Sequence, residues 1–212
     1  MHIPDGFISA PVAIATGVVA AGTITAAVKL SGKKLGDRQV PMMGVLAAFI
    51  FAAQMLNFPV VGGTSGHFLG ACLAAILLGP WSAVLIMSSI LIVQCLVFQD
   101  GGLLALGANI VNMGVAGAFS GYYLYKVIFI LFRRNRKGRL AGAFAGAWLS
   151  VVVASLACAI ELAASGTSPW EVVLAAMGGI HAIIGIGEGL ITVAVLGLIM
   201  ATRADLLELE AA

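Results

Sequence analysis

His67–Trp81 reads HFLGACLAAILLGPW, an apolar run entered through the glycine loop GGTSG at 62–66 and left through the turn signal Gly79-Pro80-Trp81. Whether this run crosses a membrane on its own decides the architecture. Taken from 65 to 79 it is short beside the roughly 20 residues a spanning helix needs. Either 65–79 and 81–98 are separate crossings, or 65–98 makes one. The other apolar segments lie near 8–28, 40–57, 107–132, 140–163 and 172–202, so the choice is between seven spans and six.

A membrane setting follows from composition. Of 212 residues, 61% are hydrophobic and 9% charged, and the mean hydropathy is +1.11, whereas soluble domains carry about 25% charged residues. The 27 glycines fall largely within apolar stretches, where small residues let helices approach closely. Charge placement then selects the count. With seven spans, Lys29, Lys33, Lys34 and Arg38 follow the first, Lys126 to Arg139 follow the fifth, and Arg203 follows the seventh, so all eleven basic residues share one face. Basic loops face the cytoplasm. The expected fold is an all-α integral membrane protein of seven transmembrane helices, N-terminus outside and C-terminus cytoplasmic. It forms one polytopic domain over 1–212, with the N-terminal segment 1–6 outside the bilayer.

That segment, MHIPDG, has no basic residue to act as the start of a signal peptide, so it is expected to stay uncleaved. Met1 before a bulky His2 is expected to be retained. The Met1 amine, the deprotonated His2 amide and the His2 imidazole can then close two fused chelate rings around a cation. A square of nitrogens suits Ni(II) or Cu(II), whereas Zn(II) prefers a tetrahedron. His67 is the fourth donor on this reading, at the start of the third helix and behind a flexible loop. The plainer readings are a histidine that only hydrogen-bonds near the interface, and a disordered tail at His2.

Other candidates invite two readings each. Asp5 either accepts backbone N–H groups in a turn with Gly6 or is a solvated charge. Asn57, Gln99, Asp100 and Asn109 sit in external loops from which they can orient His2 or His67. His181 and Glu188, seven residues apart on one face of the last span, are ionisable groups in a membrane. For Glu188 the expectation is hydrogen bonding to neighbouring helices, with support of a ligand imidazole as the alternative. Ala13, Gly17 and Ala21 form a small-residue stripe for helix contact, either internal or with a partner. Cys72, Cys95 and Cys158 have no metal-ligand or disulfide spacing. The run RRNRKGR at 133–139 is a cytoplasmic signal that meets anionic lipid, so no nucleic-acid partner is expected.

MHIPDGFIS (1–9), PVVGGTSGHFLGACLAAILLGPW (59–81) and FQDGGLLALGANIVNMG (98–114) resemble the NikM/CbiM family, the substrate-capturing membrane subunits of energy-coupling-factor nickel and cobalt transporters. The opening MHIPDG is similar to the nickel branch. The resemblance implies a metal site of Met1, His2 and His67 for Ni(II) as transported substrate, with Co(II) an alternative and no organic cofactor. It implies as partners a membrane coupling subunit, a pair of cytoplasmic ATPases and a small accessory membrane subunit, all in the inner membrane of a prokaryotic cell. The chain carries no GxxxxGK[ST] loop, so ATP hydrolysis falls to partners. A channel predicts ligands along a pore, yet these cluster at one end. A stand-alone carrier stays open. An enzyme is not expected, because no HExxH or GxSxG is present and four nitrogens leave little room for an exchangeable position.

Overall fold

The computed structural model describes residues 1–32, 36 and 38–208. Lys33 and Lys34 lie outside them. All seven apolar segments are helical, but with unequal lengths. The helices are α1 (Ala10–Gly32), α2 (Gln39–Gln54), α3 (Ala71–Leu78), α4 (Pro80–Phe98), α5 (Leu106–Asn109), α6 (Gly117–Leu131), α7 (Arg136–Ala164) and α8 (Trp170–Thr202). A π-helical stretch, Ile110–Ala116, joins α5 and α6 into one rod, Leu106–Leu131. Among the described residues five helices are long and apolar enough to cross a membrane: α1, α4, that rod, α7 and α8.

The opening stretch departs from a simple span. Its helix does not begin at His67. It begins at Ala71 and runs eight residues, about 12 Å at 1.5 Å per residue. Gly70 in the left-handed region (φ 80°) breaks the helical path. Ahead of it, β1 (Phe58–Pro59) pairs antiparallel with β2 (Ser65–Gly66) in a two-stranded ribbon. Every residue of α3 is buried. Non-helical backbone inside so apolar a body needs partners for its polar groups, and Glu188 supplies them: its carboxylate accepts the Leu69 amide at 2.8 Å and the Gly70 amide at 2.7 Å. This answers the question posed by Glu188, which bonds backbone beyond His67 and does not touch an imidazole by any bond of its carboxylate. Gly79 (φ 81°) then turns the chain into α4, with Pro80 at its first position.

The core lies between α3, α4, the Leu106–Leu131 rod and α7, and α8 packs along α7. α1 lies against α4 and α5. There Gly107 faces Gly17, and a Cβ at Gly107 would stand 2.6 Å from the Gly17 Cα. At Gly17, the small-residue stripe therefore serves internal packing. Met1 and Ile3 are themselves part of the core, so the first residues belong to the fold and not to a disordered tail.

Candidate metal centre

The N-terminal segment is pinned by main-chain and side-chain bonds from Ser65, Asn109 and the loop 102–104. The Met1 amine donates to the Ser65 carbonyl and to Ser65 Oγ (2.8 Å), and the His2 amide donates to the same Oγ at 3.2 Å. Ser65 therefore gathers both main-chain nitrogens on one side. Asn109 clasps Ile3, accepting its N–H at 2.8 Å and donating to its carbonyl at 3.1 Å. The Gly102 amide donates to the same carbonyl at 2.8 Å. Asp5 accepts from the amides of Leu103 (3.0 Å) and Leu104 (2.8 Å), so the loop after α4 is buckled to the N-terminus. Asp5 is thus a turn acceptor across loops, with Gly6 (φ 86°) allowing the bend.

Two imidazoles meet behind this buckle. His2 and His67 stack with ring centroids 4.6 Å apart. Their proton positions follow from a chain of bonds that ends on a backbone carbonyl. Leu69 C=O can only accept, so Gln54 Nε2 must be the donor at 2.7 Å and Gln54 Oε1 the acceptor end. Gln94 Nε2 donates to that oxygen at 3.0 Å, which leaves Gln94 Oε1 to accept from His2 Nε2–H at 3.0 Å. His2 Nδ1 then carries the lone pair. His67 Nδ1 lies 2.7 Å from the Phe68 carbonyl and so donates, which leaves the lone pair on His67 Nε2. Both lone-pair nitrogens are buried without a hydrogen-bond partner. Buried polar atoms are ordinarily satisfied. The two orphans sit on stacked rings beside a buried amine, so their lone pairs and the amine nitrogen lie close together.

Protonation is suppressed to match. Burial, resisted only in part by Cys158 and Asp100, lowers the Met1 amine from 8.0 to about 5. Burial, together with the neighbouring amine, lowers His2 to about 4, against opposing pulls from Asp100 and the Gln94 bond. At neutral pH both nitrogens are free bases, as ligation requires. Asp100 Oδ1 stands 3.4 Å from His2 Nδ1, but a neutral ring makes this no ion pair.

Met1 is fully buried, His2 is 4% exposed and His67 1%. Asn57 donates to Asp100 Oδ2 at 3.1 Å and does not reach either histidine. His181 Nδ1 donates to the Met177 carbonyl at 2.7 Å, and its Nε2 is a third buried orphan, with its ring against the Ser65 backbone and within electrostatic reach of the Met1 amine. Ser65, Gln54 and Gln94 were not anticipated from the sequence. A second unanticipated pair is Asn112, in the π-helical stretch, donating to Glu161 at 2.6 Å. Among the described residues no group of three or more His, Cys, Asp or Glu side chains is placed to hold a metal.

Comparison with known proteins agrees in kind. The chain is 42% identical to a putative fused nickel transport protein of Archaeoglobus fulgidus, over all of this chain and 70% of that one. It is also 42% identical to a putative metal transport protein of Haloquadratum walsbyi, over 97% of this chain and 93% of that one. A crystal structure described as a transition metal transporter superposes with a TM-score of 0.88 at 33% identity, covering 95% of this chain and 93% of that one. These relatives are transporters and not enzymes. With residues 2–206 matching the family described as the cobalt uptake substrate-specific transmembrane region, this chain belongs to that family of multi-pass metal transport proteins.

Proposed function

We propose that this chain is the substrate-binding membrane subunit of an ATP-driven importer of the energy-coupling-factor type, and that it captures Ni(II) from the external side in a plane of four nitrogens. The observation that carries the reading is the pair of orphaned lone pairs, His2 Nδ1 and His67 Nε2, next to an amine and an amide that share Ser65 Oγ. Met1 nitrogen and the His2 amide close a five-membered ring on the cation, and the His2 amide and Nδ1 a six-membered one. His67 Nε2 is the fourth donor. The amide must lose its proton, which a d-electron count favouring a square plane can drive. The reading needs Met1 to carry a free amine. Nickel appears in the name of the Archaeoglobus relative and cobalt in that of the family, and Co(II) stands just below Ni(II) in the affinity order.

Seven crossings fit this role. Taken as extended at about 3.3 Å per residue, 66–69 adds at most roughly 13 Å to the 12 Å of α3, which approaches the ~30 Å hydrocarbon core. Basic residues then face the cytoplasm, the inner membrane of a prokaryotic cell is the setting, and the site opens outward. A membrane coupling subunit, a pair of cytoplasmic ATPases and a small accessory membrane subunit would supply the energy. X-ray absorption of the nickel-loaded protein tests the site: a four-coordinate, all-nitrogen planar spectrum is expected, and sulfur or six oxygen donors would refute it. Uptake into vesicles by the chain alone, against the chain with coupling and ATPase subunits, tests the role. Equal uptake by the chain alone makes it a stand-alone carrier.

A further inference from the structure

Asp100 faces the centre in a way that hydrogen bonding does not account for. Its Oδ1 is 3.4 Å from His2 Nδ1, the atom to which the Leu69–Gln54–Gln94 chain assigns a lone pair. A carboxylate oxygen and a bare ring nitrogen are both acceptors, with no proton between them. Two acceptors held face to face repel unless a positive charge enters. The fold nevertheless holds them there. Asn57 fixes Oδ2 at 3.1 Å, the Asp100 amide donates to the Gln94 carbonyl at 3.0 Å, and Gln99 takes up the left-handed region (φ 57°) to make that turn. Gln94 thus sets both the proton of His2 and the place of Asp100.

Exposure gives the carboxylate its part. The Asp100 side chain is 19% accessible, while the nitrogen donors behind it are buried. A dication arriving from water meets oxygen before nitrogen.

Charge gives a second reason. A divalent cation bound by a neutral amine, two neutral imidazoles and one deprotonated amide leaves a net charge of one plus, the amide proton having gone to water. An unpaired charge buried in a low dielectric is costly. One carboxylate at the mouth cancels it.

We propose that Asp100 is the entry ligand and the resident counter-charge of the metal centre: it takes the hydrated divalent cation at the mouth, passes it to the nitrogens, and stays beside the bound complex to neutralise it. This rests on the four-nitrogen reading above. It makes Asp100 a determinant of capture rate and of charge selectivity, and not one of the four planar donors.

The test uses the full chain with its native N-terminus in nanodiscs, with Ni(II) as the probe and stopped-flow absorption as the readout. Asp100→Asn and Asp100→Ala remove the charge; Asp100→Glu restores it. We expect the neutral variants to bind about tenfold or more slowly, as steering charges do, to lose most of the salt dependence of the rate, and to keep the planar all-nitrogen spectrum. Asp100→Glu should recover at least part of the rate. Wild-type rate and affinity in both neutral variants would overturn the proposal. So would a loss that Asp100→Glu does not restore, or a changed donor set, because either makes the residue structural. A wild-type protein lacking the planar spectrum fails the four-nitrogen reading itself, a result separate from any behaviour of the Asp100 variants.

Discussion

The rings of His2 and His67 stack at 4.6 Å with planes 28° apart, although 65 positions separate them in the chain. Neither ring is held by the other. His2 is held through Gln94 and His67 through its own neighbour's carbonyl, so the pair is assembled from two independent supports. Each support can be removed alone.

A residue placed before Met1 turns the amine into an amide and has no space, since Met1 is fully buried and its nitrogen bonds Ser65. An N-terminal tag should abolish nickel binding, whereas a C-terminal tag should leave one ion per chain by elemental analysis. Equal stoichiometry in both proteins contradicts the chelate.

The pH window should lie low. A free imidazole would compete for protons near 6.5 and a free amine near 8, but burial moves Met1 to about 5 and His2 to about 4. Between about pH 5.5 and 8 only the amide proton is released, so affinity should change about tenfold per pH unit. Below about 5 the slope should steepen as amine and then imidazole take up protons. The sign for docking is the same: the undocked segment binds more protons than the docked one between 8.0 and about 5, so docking weakens as pH falls through that range. Calorimetry in buffers of different ionisation enthalpy counts the protons; more than one released at pH 7 speaks against the buried neutral amine.

Gln94→Leu removes the acceptor for His2 Nε2–H and the donor to Gln54. Nickel affinity should fall about 10–100-fold, the usual effect of losing a ligand's orienting partner. Gln54→Leu should do less by itself. The double variant should fall short of the sum of the two, because both break one chain. Additive losses would mean that the amides act separately.

His67→Ala deletes the proposed fourth donor, and nickel binding should weaken greatly with a changed absorption spectrum. His181→Ala removes an orphaned nitrogen near the amine but no donor, so the spectrum should persist with at most a ~10–100-fold weaker affinity. If His181→Ala destroys the planar signature and His67→Ala preserves it, the fourth ligand comes from α8.

The all-α, membrane-helix character was legible in the chain because the bilayer imposes simple lengths on apolar segments. The Gly79-Pro80 break stands where the sequence puts it. The start of α3 does not, because periodicity cannot see that Glu188, 119 and 118 residues away from Leu69 and Gly70, will satisfy their unwound amides. The π-helical stretch around Asn112 has no sequence signature either. Gln54 and Gln94 had a signal that went unused: each is a lone amide inside an apolar run, AAQML and LIVQCL, where an uncharged polar group is costly without a partner. Ser65 had none, since serine in a glycine loop is ordinary turn chemistry.

The anchoring of the chain's beginning bears on how the molecule is made. Met1 is gripped by Ser65 and Cys158, Ile3 by Asn109, and Phe7 by Thr167. Residues 1–7 therefore cannot dock until most of the helices that hold them are in place. Such long-range closure is slow and comes late. On the proposed reading, a chain whose later helices are missing has no binding site to offer a metal ion.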